Sequence, residues 1–245
     1  ETALAAHHWD VVRRRDAEAT YNLHSRDQLI EAAPGFDVDA WTGALLSPTG
    51  DRAATFAEVN VGQPSFVTAA AQLVSERPLD EWKTWLTWRL LRTAAPYLSS
   101  AVVEENFDFY GRTLTGAPVN RDRWKRGVGF VEDAAGFAVG ELYVDKHFPP
   151  AAKARMDELI DNLIEAYRRN ISDLEWMTPA TRERALAKLD RFTPKIGYPA
   201  RSRDYSALEV DRDDLIGNVR RASAFENDRE LAKIGRPVDR DEWFM

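Results

Sequence analysis

Residues 151–174 read AAKARMDELIDNLIEAYRRNISDL, and this stretch decides the fold. Met156, Ile160, Leu163, Tyr167, Ile171 and Leu174 recur at steps of three and four, with Leu159 and Ile164 flanking them. Asp157, Glu158, Asp161, Glu165, Arg168 and Arg169 fill the other side. That spacing predicts an amphipathic helix, opened by Pro149-Pro150 near its first turn.

The same signal extends outward in both directions. Residues 121–147 predict a second long helix, with Trp124, Val128, Val131, Ala135, Ala138 and Leu142 as its apolar stripe. It also carries Gly127, Gly129, Gly136 and Gly140. Each internal glycine costs about 1 kcal/mol relative to alanine, so four of them point to a close neighbouring backbone or a kink. Gly136 and Gly140, four apart, are expected where another helix comes close. The short Pro-containing link predicts that 121–147 and 151–174 pack antiparallel.

Thr178-Pro179 places an N-cap before a proline at the first helical position, for a helix running to about Phe192. Ala185, Leu189 and Phe192 are its inward residues, and Pro194 ends it. Arg77 to Tyr97 predicts another helix, with Trp82, Trp85, Leu86, Arg89 and Leu90 at helical spacing. Ser99 or Ser100 is the expected cap of the next, which runs through Phe107 and Tyr110 to Gly111. Asp211 or Asp213 is the expected cap of the last, which shows Leu215, Val219, Ala222 and Phe225 at steps of three and four and reaches about Ile234. Strand signals are thin: Phe56 to Val61 alternates weakly, and Lys195 to Tyr198 is compatible with extended chain. Pro34 to Gly62 reads as short helices and loops. The expected fold class is all-α, a bundle-like set of helices with at most minor β.

Composition narrows the function. The chain has 245 residues, 44% apolar and 30% charged, with a net charge of -7. Eight Trp and eleven Phe are more than a disordered chain carries. These values predict a soluble, globular protein, and no apolar run approaches the length of a membrane span. The basic clusters Arg13-Arg14-Arg15, Arg168-Arg169 and Arg220-Arg221 are short and sit among acids, which argues against a nucleic-acid track. There is no Cys, which excludes disulfides, Cys-ligated zinc and a thiol nucleophile. That absence fits a bacterial protein, cytoplasmic or exported, better than an extracellular animal one. The chain opens directly on the helical signal Glu1-Thr2-Ala3-Leu4 without an initiator methionine, so a piece of a longer protein is expected.

The chemistry-bearing residues are sparse. The four histidines are His7, His8, His24 and His147, and none belongs to a His-Glu-x-x-His motif. His7 and His8 are neighbours, so on a helix they point about 100° apart and do not chelate one ion together. His147 follows Asp145 at a helix end, where a cation suits the dipole. No Gly-x-Ser-x-Gly elbow, Walker loop or dinucleotide fingerprint is present. The acid pairs Glu104-Glu105 and Asp213-Asp214 stand beside helix N-termini, where capping accounts for them. Trp82, Trp85 and Trp88, with Phe107, Phe109 and Tyr110, are expected as core. No residue of this chain is assigned a catalytic or metal-binding role, and no substrate-binding residue is identified.

Three ordered segments carry a resemblance. The first is Phe109 to Gly116 (FYGRTLTG), then Arg123-Trp124-Lys125-Arg126 and Ala138 to Val144 (AVGELYV). The second is Leu174-Glu175-Trp176-Met177, then Thr181 to Leu189 and Lys195-Ile196-Gly197-Tyr198-Pro199. The third is Val238 to Trp243 (VDRDEW). In order and spacing they resemble the region upstream of the active site in zinc metallopeptidases of the neprilysin and endothelin-converting-enzyme family, bacterial members above all.

The resemblance implies a mostly helical lid that encloses, with a thermolysin-like zinc domain, a cavity admitting peptides. In the family an Asn-Ala-x-Tyr strand and then His-Glu-x-x-His follow the third segment, and this chain reaches Met245 before both. Residues 1–212 are therefore expected as the lid, itself incomplete at its start, and 213–245 as the junction to the catalytic domain. That domain and peptide substrates are the implied partners; nucleic acid and membrane are not. Zinc is the implied cofactor of the full enzyme, activating water with the motif's glutamate as base. None is expected in this chain, which is expected to be inactive alone. The alternative is a stand-alone helical module that binds proteins or peptides.

Overall fold

In a computed structural model the described residues are 1–45 and 55–244. They form α1 (Thr2–Ala5), β1 (Leu23–Ser25), α2 (Arg26–Ala32), α3 (Val38–Leu45), β2 (Glu58–Asn60), α4 (Pro64–Glu76), α5 (Leu79–Ala94), α6 (Ser100–Phe107), α7 (Arg123–His147), α8 (Pro150–Asp173), α9 (Pro179–Leu189) and α10 (Leu215–Leu231). The protein is mostly helical, as its periodicity requires. The two strands are the minor β allowed for, and only β2 was signalled in the sequence. They pair antiparallel, His24 opposite Val59. Lys195 and Ile196 join no strand, because Gly197, at φ +81°, turns the chain there. Of the loose stretch 34–62, α3 and β2 are helix and strand, while 46–54 lie outside the described residues.

The chain divides into two units, residues 1–120 with 211–237, and residues 121–210 with 238–245. In the first, α2 begins with a capping box: the Ser25 hydroxyl accepts from the Gln28 amide, and the Gln28 side chain accepts from the Ser25 amide. This sets Leu29 and Ala33 inward against Val38, Val61 and Ala71. Ala95 and Val103 are also buried. These seven are the buried apolar residues of the described chain, and all lie in this unit.

The second unit is built differently. α8 packs against α9. Arg168 reaches Asp190 at 2.7 Å, and Arg182 donates to the carbonyls of Leu174 and Met177 at the end of α8. Both carbonyls lie in the link between the two helices, so Arg182 ties α9 back to that link. Thr178 caps α9, accepting from the Thr181 amide, as the sequence foretold. α9 stops at Leu189, however, and Phe192 is 62% exposed rather than inward.

Other expectations also need correction. α7 and α8 do not pack along their lengths, because α8 takes α9 as its neighbour. The 25 residues of α7 are bent at Ala135 (φ -147°, ψ 33°), so a kink stands beside its glycines. Gly136 is buried, but a Cβ on Gly140 would meet nothing within 4 Å among the described residues. The cap of α10 is Asp214, whose carboxylate accepts from the Gly217 amide at 2.7 Å. Asp211 instead accepts from the Asp213 amide in the turn before it.

Candidate functional site

The first motif segment begins within a π-helical turn, Asp108–Thr113, that continues α6, and its later words lie on α7. Thr113 donates to the Asp108 carbonyl, closing that wide turn. Arg112 pairs with Asp108 and lies over the Phe107 ring. Phe109 and Tyr110 meet edge to face at 4.9 Å. On α5, Trp82 and Trp85 also meet edge to face, and the Arg92 guanidinium sits 4.7 Å from the Tyr110 ring centre and 5.7 Å from that of Trp88. None of these aromatics is buried, and Trp88 and Phe109 are exposed. The cluster expected as core is thus a half-open aromatic and cationic surface.

The Lys195–Pro199 segment has a structural task. Gly197 lets the chain turn under Phe148, and Tyr198 meets that ring edge to face at 5.9 Å. This fixes the corner between α7 and α8. In the third segment the Glu242 carbonyl accepts from Lys195 Nζ, linking it to the second.

The histidines do not converge. His8 stacks on Phe66 at 4.1 Å, His147 lies beside Tyr143, and His24 Nδ1 contacts the Asn22 carbonyl at 2.9 Å. Among the described residues none bonds to a serine or a carboxylate. No group of three or more His, Asp or Glu among them is placed to hold a metal ion.

Three carboxyls are held below the usual aspartate range: Asp10, chiefly by the Arg13 amide, Asp204 by the Ser206 amide, and Asp214 by the Gly217 amide. In each the leading cause is a backbone N–H at a turn or helix start, so these shifts report local capping rather than poised acids or bases. Among the described residues no helix is long and apolar enough to cross a membrane.

Fold and site together define a mostly helical domain with one short antiparallel strand pair. The chain belongs to peptidase family M13, whose N-terminal profile matches residues 1–199. It is similar to the zinc metalloprotease Zmp1 of Mycobacterium tuberculosis in its open state, with 56% identity and a TM-score of 0.88, over 100% of this chain and 37% of that one. It is 27% identical to Neprilysin-2 of Drosophila melanogaster, over 99% of this chain and 34% of that protein. It is 28% identical to a neutral endopeptidase of Lactobacillus helveticus, over 94% of this chain and 35% of that protein. The chain thus spans about a third of the length of these relatives and corresponds to the N-terminal region of a neprilysin-like zinc metallopeptidase.

Proposed function

We propose that this chain is the non-catalytic helical lid of a zinc metalloendopeptidase that cleaves peptides in an enclosed cavity. The zinc centre and the general base belong to polypeptide outside these 245 residues. Residues 1–212 form the lid, and 213–245 lead toward the catalytic part.

The observation that supports this reading is surface. The chain exposes 18642 Å², whereas a folded monomer of 27.8 kDa exposes roughly 11,000 Å². Large apolar side chains are among those exposed: Leu79, Leu86, Leu90 and Leu91 on α5, and Trp124 and Leu142 on α7. Such faces are what a domain shows when another body normally covers it.

The test is the full-length gene product. Purified, it should hold about one zinc per chain and cleave short peptides, with loss of activity on chelation. The 245-residue chain alone should do neither. A full-length product without chelator-sensitive peptidase activity would overturn the proposal and favour a helical binding module.

A further inference from the structure

We draw no further inference here: the strongest candidate, the surface patch beside the π-helical turn where Arg89 and Arg92 of α5 lie over the rings of Trp85, Trp88 and Tyr110, carries nothing because nothing in the structure shows what covers it.

Discussion

The Phe107 ring lies where a side chain at residue 111 would have to go: a Cβ on Gly111 would come 2.3 Å from the ring's Cδ2 and Cε2. Gly111 is not needed for its φ, which is negative. It is needed because α6 runs into a π-helical turn that folds residue 111 back over the preceding ring. Gly111→Ala should therefore destabilise the protein by about 1–3 kcal/mol through overpacking. Denaturant unfolding measures this, and an unchanged midpoint would show that Phe107 swings aside freely.

Thr178 offers a cleaner substitution. Its hydroxyl accepts the Thr181 amide at 3.3 Å and also bonds the Thr181 hydroxyl. Thr178→Ala should cost about 1 kcal/mol, while Thr178→Asp, another good cap, should keep most of the stability. If the two variants unfold at the same denaturant concentration, the cap contributes nothing here.

Asp214 gives the pH dependence. Its carboxyl is held below the ordinary aspartate value of 3.8 chiefly by the Gly217 amide; desolvation, next in size, opposes this, and Arg221 adds to the lowering. The folded value lies below the unfolded one, so the stabilisation is fully present above pH 3.8. It is lost as pH falls through the lower, folded value. The start of α10 should fray only in that acidic window. Nuclear magnetic resonance of the Asp214 carboxyl and the Gly217 amide between pH 5 and 2 follows it. Asp214→Asn keeps a capping oxygen and should remove the pH dependence, and its persistence in that variant would assign the effect elsewhere.

Most of the helices were legible because their apolar residues recur at helical steps and their ends carry Ser, Thr, Asp or Pro. The family was legible in ordered words such as Lys195 to Pro199, whose turn and aromatic corner the structure explains. What periodicity does not encode is which body covers a stripe. Trp124, Val128 and Leu142 announce burial in the sequence, yet this chain leaves them open. The same holds for Gly140, where the pattern signals a close neighbour and the described residues place nothing within 4 Å of an added Cβ. The β1 strand was missed because it runs straight into α2, its last residue Ser25 serving as that helix's cap. The π-helical turn was missed because nothing in FYGRTLTG distinguishes it from an ordinary helix end. No catalytic residue was assigned from the sequence.

The last segment is where fold and proposed function meet. The 238–245 stretch belongs to the second unit, whereas 211–237 belong to the first, so the chain crosses between units near Pro237. Val238 is 87% and Phe244 78% exposed, and Trp243 is half-buried. Lys195 Nζ donates to the Glu242 carbonyl across this stretch, an exposed bond of the kind that local fraying opens easily. α8, by contrast, is a continuous 24-residue helix clamped by Arg168 and Arg182 contacts to its neighbour. Amides of 238–244 should therefore exchange with solvent well before those of 155–172, in the 245-residue chain. In the full-length protein, where the proposed catalytic part would cover Trp243 and Phe244, protection of the tail should rise markedly while that of α8 changes little. Equal protection of tail and α8 in the shorter chain, measured as a monomer, would mean that 213–245 is ordinary lid and not a junction.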